Sequence, residues 1–440
     1  MSNVFYRTPR HIYPRAVRGE GVYIYDDGGK QYLDGSGGAA VSCLGHTHPA
    51  VIAAIKNQLD DLAYAHTSFF TTGPQERLAT RLADRFGESD AKVYLVSGGS
   101  EANETALKLV RQYWLAKGRG DKHIVVSREQ SYHGNTLGAL SVSGNRGRRN
   151  IYAPILHDWP RIAPCYAYRH QETGETEAAY GERAAQALED AIIEHGAGNI
   201  AAFIAETVVG ATLGAVPGVI GYFQKVREIC DRHDILLILD EVMAGAGRSG
   251  SYFAFEQDGI RPDIVTIAKG LGGGYQAIGA TIVRRSIHDA IVDAFGAFEH
   301  GHTYIGHATA CAAANAVADV LERENLLANV MRISALLKKE LAMALAEHPN
   351  VGDIRGRGLL LGIELVADRA SKTPVEPGVA GLIKSTAMAK GLIIYPGGGT
   401  ADGRIGAHIL LAPPFIYDNG HVDELVSKLR AVLASIDFAE

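Results

Sequence analysis

The sequence has only four cysteines among its 440 residues, and no two of them lie at a CxxC spacing. This argues against a disulfide framework or a cysteine zinc site, and predicts buried thiols in a reducing compartment such as the cytoplasm. No apolar run approaches the roughly 20 residues that a membrane-spanning helix needs, so we expect no contact with a membrane. The N-terminal segment MSNVFYRTPRHIYPR contains no apolar stretch, and we expect no secretory signal.

An excess of positive charge is also missing, because 43 lysines and arginines stand against 49 aspartates and glutamates. A dedicated nucleic-acid-binding protein carries a basic stripe, so we expect no nucleic-acid partner. The one basic cluster comprises Arg146, Arg148 and Arg149, and we interpret it as a solvated loop. Hydrophobic residues make up 47% of the sequence, which is typical of a globular protein of about two or three domains.

Glycine, in contrast, is abundant, with 51 residues that often follow strand-like segments. Short β-rich segments alternate with longer helical ones, which predicts an α/β fold with a mostly parallel sheet. The predicted strands cover residues 93–96, 124–127, 201–205, 235–239 and 264–267. Glu206, Asp240 and Lys269 follow the last three of these strands. Because ligands bind at the carboxyl edge of such sheets, we expect a site there.

The two ends of the chain differ from its middle. Residues 21–33 predict a β-hairpin, and the segment after residue 310 alternates long helices with short strands. We therefore predict a large domain at residues 61–309. A smaller α+β domain would be formed by residues 1–60 and 310–440.

Lys269 and Asp240 carry the strongest chemical signal. Lys269 lies between an apolar strand and the glycines of GLGGG, where lost hydration lowers the pKa of a lysine and frees its amine as a nucleophile. Asp240 ends the preceding strand, where an acid can hold a ring nitrogen protonated. Pyridoxal phosphate requires this pair of groups. Taken singly, a solvated lysine and an aspartate that caps a helix are the open alternatives.

Two further segments fit a planar, phosphorylated cofactor. The turn SGGS at residues 97–100 precedes a predicted helix, and backbone amides at a helix N-terminus bind phosphate. Tyr132 and His133 follow the second predicted strand, and an aromatic ring can stack on the cofactor. An ordinary glycine turn and a partly buried tyrosine are the open alternatives.

Six motifs, in order along nearly the whole chain, resemble the class III pyridoxal-phosphate aminotransferases of fold type I. They are SGGSEANETALKL, SYHGNTLGA, AETVVGATLGAVP, LLILDEVMAGAGRSG, PDIVTIAKGLGGGYQAIGA and GHTYIGHATACAAA. The N-terminal YLDGSGGAAVSCLGHTHPAV and the C-terminal RGRGLLLGIEL match the same family. The resemblance implies a large domain with a mostly parallel sheet and a smaller α+β domain from both chain ends.

The resemblance also implies roles for individual residues. Lys269 would form the Schiff base with pyridoxal 5'-phosphate, and Asp240 would hold the ring nitrogen of that cofactor. Thr303 would reach the phosphate bound by a neighbouring subunit, which implies a homodimer and leaves a tetramer open. The other implied cofactor-binding residues are Gly99, Ser100, Tyr132, His133, Glu206 and Val242.

The sequence departs from the family close to the late APP motif. Members that use 2-oxoglutarate often carry an arginine there, which can pair with the glutamate that corresponds to Glu206. This sequence has Leu410 instead, and a leucine cannot pair with a carboxylate. We therefore expect pyruvate as the acceptor, as in the ω-amine:pyruvate branch. The candidate substrate-binding residues are Phe69, Phe70 and Arg404, with core packing or simple solvent exposure as the open alternatives.

The predicted activity is transfer of an amino group from an amine or ω-amino acid to a keto acid. The alternative within the family is a lyase that eliminates ammonia or phosphate from a small amino compound such as an aminophosphonate or phosphoamine. No metal is expected, because the histidines of residues 300–307 have no established ligand spacing. A nicotinamide cofactor is disfavoured, since no acid follows the GGGYQA segment at the required distance. An inactive regulatory protein is disfavoured, because no DNA-binding segment is added.

Overall fold

The computed structural model describes residues 2–438, and its centre is a seven-stranded sheet. From edge to edge, its strands are Lys92–Val96, Gly279–Val283, Ile264–Ile267, Leu236–Asp240, Ile200–Glu206, Ile124–Arg128 and Arg161–Ile162. Gly279–Val283 is antiparallel to both of its neighbours, and the other described strand pairs of this sheet are parallel. The prediction of a mostly parallel sheet is confirmed.

The strands of this sheet are apolar on both faces. Leu237 and Leu239 pack into one hydrophobic layer, and Leu236 and Ile238 pack into another. Burial of both faces is typical of parallel sheets that are covered by helices on either side. The covering helices are Gly73–Phe86, Glu177–His195 and Tyr222–Arg232 on the first face, and Gly99–Ala116 and Arg285–Phe295 on the second. Because helices cover both faces, we expect charged side chains of these strands at the strand ends.

The helix Gly99–Ala116 illustrates how the sequence positions the site. Its buried residues include Ala102, Ala106 and Val110, which recur every four positions and, together with Leu109, form one apolar stripe. This stripe packs against the sheet just after the strand Lys92–Val96 has ended. The first turn of the helix is thereby fixed at the carboxyl edge.

Segments from both ends of the chain form two smaller sheets. The first contains Ala16–Glu20, Tyr23–Asp26, Gln31–Asp34 and Leu392–Ile393. The second contains Val351–Arg357, Leu360–Asp368, Thr373–Pro374, Tyr395–Gly398 and Ala407–Leu411. Pairing within the first sheet confirms the predicted hairpin. A shared hydrophobic cluster joins both chain ends, whereas the division at residues 60 and 310 stays a prediction.

The remaining elements surround these sheets. The further helices are Pro49–Asp61, Ala308–Arg323, Leu326–Ala344, Val379–Ala389 and Asn419–Leu433. Short helical segments are Gly37–Ala40, Leu137–Ser141, Arg146–Arg149, Asn150–Ile155, Ala167–His170, Ala254–Asp258 and Lys269–Leu271, and a two-stranded ribbon joins Val208–Val209 and Val216–Pro217. Within residues 2–438, no helix combines the length and the apolar composition required to cross a bilayer. The four cysteines are buried and unpaired.

Candidate active site

A cavity of about 280 Å³ lies at the carboxyl edge of the central sheet. Eight residues singled out from the sequence line it: Gly99, Ser100, Tyr132, His133, Glu206, Asp240, Val242 and Lys269. They come from separate segments of the chain, so the fold assembles them. A larger cavity, of about 500 Å³, lies beside the strand Lys92–Val96 and contains none of them. We assign the catalytic reaction to the smaller cavity because a lysine and two buried carboxyl groups line it.

Lys269 begins the short helical turn that follows the strand Ile264–Ile267, and its backbone φ is +47°. That left-handed conformation is uncommon for a residue with a side chain, and such strain is often found at functional sites. Burial lowers the pKa of the Lys269 amine, although the carboxylates of Asp240 and Glu206 act in the opposite direction. A lowered pKa increases the fraction of neutral amine, which is the nucleophilic form.

Asp240 is buried and held by three hydrogen bonds. Its Oδ2 accepts from Nδ2 of Asn103 at 2.8 Å and from Nδ1 of His133 at 2.9 Å. Its Oδ1 accepts from the backbone N–H of Val242 at 2.9 Å. These donors fix the carboxylate in the cavity wall without exhausting its acceptor sites. The carboxylate can therefore accept a further charge-assisted hydrogen bond from a ligand.

Asn103 is a site residue that our sequence reasoning missed. Besides Asp240, its Nδ2 donates to the backbone carbonyl of His133 at 2.6 Å, and its Oδ1 accepts from Oγ1 of Thr266 at 2.9 Å. The side chain thus links a helix, a loop and a strand around the aspartate. The sequence contains one signal for this role. Asn103 follows Ala102 and so lies beside the buried apolar stripe of the helix, where an amide side chain must find polar partners.

Glu206 stands level with Asp240 on the adjacent strand. Its Oε1 accepts from the backbone N–H of Tyr132 and its Oε2 from that of Gly210, both at 2.9 Å. Burial raises the pKa of the Glu206 carboxyl group, and the nearby Asp240 carboxylate adds to this effect. Within residues 2–438, no arginine or lysine forms an ion pair with the Glu206 carboxyl group. Leu410 is buried in the same region and supplies no charge.

The first turn of the helix Gly99–Ala116 forms a narrow cradle. A Cβ on Gly99 would lie 2.7 Å from Cγ1 of Val242, and a Cβ on Gly134 would lie 2.7 Å from Oγ of Ser100. Glycine at both positions therefore allows the backbone to approach its neighbours closely. Free amides in this turn suit an anion such as a phosphate. The cradle, the fixed aspartate and the lysine together fit the parts of pyridoxal phosphate.

Four predicted residues lie outside this cavity in the single chain. Phe69 and Phe70 are 79% and 67% exposed, so core packing is excluded for them. Thr303 is exposed, and its backbone carbonyl accepts a hydrogen bond from Tyr64 at 2.8 Å. Arg404 lines a neighbouring cavity of about 220 Å³. The roles of these four residues in binding stay predictions.

Glu241 follows Asp240 but does not line the cavity. Its Oε1 accepts from Oγ1 of Thr207 at 2.7 Å and from the backbone N–H of Phe255 at 2.9 Å, and its Oε2 accepts from that of Ala254 at 2.8 Å. Burial raises the pKa of this carboxyl group from 4.5 to about 7, against the effect of these donors. Glu241 is therefore a structural carboxyl group whose charge depends on pH near neutrality.

This raised pKa predicts a pH-dependent stability. The folded state binds the proton of Glu241 more tightly than the unfolded state, so its stabilising effect is complete below pH ~4.5 and is lost as the pH rises through ~7. We expect Glu241→Gln to reduce the dependence of the unfolding free energy on pH in this window. Urea denaturation between pH ~5 and ~8 measures it. Glu347→Gln, on the surface, should keep the native pH dependence, and an unchanged dependence in Glu241→Gln would contradict the prediction.

Comparison with known proteins gives one consistent result. The family described as "Aminotransferase class-III" matches residues 5–433. An uncharacterised aminotransferase of Schizosaccharomyces pombe is 42% identical, with 98% of this chain and 95% of that protein covered. Both similarities extend over nearly the whole chain.

Solved structures agree with the sequence comparison. An (S)-enantioselective omega-transaminase from Thermomicrobium roseum superposes with a TM-score of 0.90 at 36% identity, covering 97% of this chain and 93% of that one. An amine transaminase from an uncultivated Pseudomonas species, in a form with bound pyridoxal phosphate, gives a TM-score of 0.91 at 36% identity, covering 98% and 97%. The fold and the cofactor implied by the sequence motifs are thereby confirmed. This chain belongs to the class III aminotransferases, which are fold type I enzymes that use pyridoxal 5'-phosphate to move amino groups between small amines and keto acids.

Proposed function

We propose that the enzyme transfers the amino group of an amine or ω-amino acid to pyruvate. The observation that carries the choice of acceptor is Leu410, a fully buried leucine that packs in one cluster with Met243 of the cavity wall. A second carboxylate, as in 2-oxoglutarate, would meet apolar side chains there and the carboxyl group of Glu206, whose oxygens accept hydrogen bonds from the backbone N–H groups of Tyr132 and Gly210. Burying a carboxylate without a partner is unfavourable, whereas the methyl group of pyruvate suits an apolar wall.

The proposed cofactor contacts follow from the walls of the cavity. When bound, pyridoxal phosphate supplies a positively charged ring that accepts the electron pair left on the substrate carbon after loss of a proton. Lys269 would bind the aldehyde of the cofactor. Among the residues that line the cavity, Tyr132 and Val242 would hold the two faces of the ring, Gly99 and Ser100 would hold the phosphate, and His133 and Glu206 would lie close to the ring.

Lys269 carries the proton in the proposed reaction. Once the amino group of the substrate has taken its place on the cofactor, the Lys269 amine would be free, and its lowered pKa favours the neutral form that can remove the proton from the substrate carbon as a general base. The resulting ammonium group then acts as a general acid and returns the proton to the carbon of the cofactor that carried the aldehyde. A fixed backbone at Lys269 limits the positions that the amine can sample, which favours both transfers.

Asp240 keeps a proton on the ring nitrogen. An ionised carboxylate stabilises the charged, hydrogen-bonded form of that nitrogen. The donors from Asn103, His133 and Val242 hold the carboxylate in place. The orientation is thus set before the cofactor binds, which is the condition for efficient electrostatic catalysis.

A homodimer is part of the proposal. Phe69, Phe70 and Tyr304 are 79%, 67% and 60% exposed, and a soluble monomer rarely leaves large apolar side chains clustered at its surface. Tyr64 joins this group through a ring contact with Tyr304 at 5.7 Å. A second copy that covers this surface would bring the adjacent Thr303 to a neighbouring phosphate site. The unpaired cysteines suit a reducing compartment such as the cytoplasm.

Product analysis tests the proposed function. Purified protein loaded with pyridoxal phosphate is incubated with a panel of amines and with either pyruvate or 2-oxoglutarate. We expect alanine to form from pyruvate with a kcat/KM at least roughly 10-fold above that for glutamate formation, because one carboxylate of 2-oxoglutarate stays unpaired. Preferential glutamate formation would contradict the choice of acceptor. Release of ammonia without any acceptor would favour the lyase instead.

A further inference from the structure

Arg148 contacts Tyr132, one of the residues that line the active-site cavity. It belongs to the short helix Arg146–Arg149, and its backbone N–H donates to Oδ1 of Asn145 at 3.1 Å. Its guanidinium carbon lies 4.7 Å from the ring centroid of Tyr132, within cation–π distance. One guanidinium nitrogen donates to the hydroxyl oxygen of Tyr132 at 3.4 Å. The arginine is thereby held against a side chain that lines the cavity.

Arg148 differs from the other arginines of this helix in having no carboxylate partner. Arg146 forms an ion pair with Glu129 at 3.5 Å, and Arg149 forms one with Asp158 at 3.7 Å. In residues 2–438, no aspartate or glutamate lies within ion-pair distance of Arg148. Its side chain is exposed, so most of its five N–H donors are available to a ligand.

The charge of Arg148 acts inside the cavity. Burial lowers the pKa of the Lys269 amine, and the positive charge of Arg148 adds to this effect. Arg404 lines a separate cavity with Thr212 and Glu376. Of the two arginines, Arg148 is the one in contact with Tyr132 of the active-site cavity, so it is placed to attract a negative charge towards the reacting lysine.

We propose that Arg148 binds the carboxylate of keto-acid and amino-acid substrates at the outer edge of Tyr132. This inference rests on the proposed function and names the residue that selects substrates with one carboxylate. A guanidinium group suits the role because it binds a carboxylate through two parallel hydrogen bonds. Its position also leaves the cavity wall at Met243, which shares a hydrophobic cluster with Leu410, free for the apolar part of the substrate.

Matched substrates with and without a carboxylate test the proposal. Pyruvate is compared with pyruvamide as the acceptor, and 4-aminobutyrate with butylamine as the donor, in native enzyme and Arg148→Met. We expect kcat/KM for the two carboxylates to fall roughly 10- to 100-fold, mainly through KM, because one charged hydrogen-bonding partner is lost. The values for pyruvamide and butylamine should change by less than about 3-fold. Arg148→Lys should recover part of the loss.

Arg146→Met is the control, because Arg146 lies on the same short helix and pairs with Glu129, and it should keep the native preference for carboxylates. Arg404→Met tests the other candidate substrate-binding arginine, and under this proposal it should keep that preference as well. The proposal is overturned if Arg404→Met alone raises KM for pyruvate, or if Arg148→Met affects charged and neutral substrates equally. In the second case, Arg148 would act only by holding Tyr132. Weaker retention of pyridoxal phosphate without a change in substrate preference would instead make Arg148 a phosphate ligand.

A binding measurement separates this proposal from the proposed function. Propionate is an unreactive carboxylate, and its binding to the enzyme loaded with cofactor is measured by calorimetry, with propionamide as the neutral control. We expect native enzyme to bind propionate at least roughly 10-fold more tightly than Arg148→Met does. Equal binding would overturn the role of Arg148 even if alanine is formed. If no alanine is formed but propionate binding depends on Arg148, the proposed acceptor fails and the carboxylate site stands.

Discussion

Replacement of Lys269 by alanine is expected to abolish amino transfer. General acid–base catalysis by one side chain typically contributes about 10²–10⁴-fold, and Lys269 is proposed to remove and return a proton in the same reaction. We therefore expect kcat to fall by at least about 10³-fold. The rate of alanine formation from pyruvate measures this effect. The variant should still fold, because the substitution removes only a buried amine. The neighbouring carboxylates can still interact with the bound cofactor.

Chemical labelling distinguishes the lysine from other causes of lost activity. Borohydride reduction of native enzyme with bound cofactor should attach the cofactor covalently to Lys269, and mass spectrometry of the peptide locates the attachment. Lys269→Ala should show no attachment. Lys225→Ala is the control, because Lys225 is a surface residue paired with Glu228 at 3.3 Å, and it should behave as native enzyme. Attachment at another lysine, or substantial activity of Lys269→Ala, would refute the assignment.

Asp240→Asn is expected to reduce kcat by about 10²–10³-fold, as does the loss of other groups that stabilise developing charge in an active site. Asparagine has nearly the same shape but no charge, so it cannot hold a protonated ring nitrogen beside it. Its amide group would also face the donors of Asn103 and His133. We expect a smaller effect on KM for the amine, because the ring nitrogen is remote from the part of the substrate that is bound.

The control for this substitution is Asp289→Asn. Asp289 lies on the surface helix Arg285–Phe295 and pairs with Arg285 at 2.8 Å, so its loss should leave kcat unchanged. The absorption spectrum of the bound cofactor gives a second measurement, since it responds to the charge of the ring. A native spectrum together with a native kcat in Asp240→Asn would show that the carboxylate has another role.

The convergence of Asp240 and Lys269 was predictable from the sequence alone. Both follow short apolar segments, and consecutive strands of a parallel sheet often lie side by side. The structure pairs Asp240 with Thr266 on the strand that precedes Lys269. Polar residues at these places are informative because the rest of each strand is buried on both faces. The same reasoning located the glycine cradle at residues 97–100.

Other features depend on contacts that a single sequence does not record. The strand Gly279–Val283 runs antiparallel to its neighbours because of how it packs between them. Its apolar residues would give the same sequence pattern in a parallel strand, so the sequence does not predict its direction. Asn103 gains its importance from partners on a loop and a distant strand. From the sequence, Arg148 was interpreted as part of a solvated loop. Its contact with Tyr132 joins residues 16 positions apart, and a single sequence does not show such a contact. Exposure of Phe69 likewise follows from the arrangement of surface segments.

The antiparallel strand Gly279–Val283 constrains how this cavity can change. The chain leaves the sheet at Lys269, reverses, and returns at Gly279, so residues 268–269 and 276–278 form two walls from one tethered loop. An insertion in this loop would shift both walls and disturb the lysine itself. Variants that accept bulkier amines should therefore be sought among surface segments outside this loop, which can vary without displacing the catalytic amine.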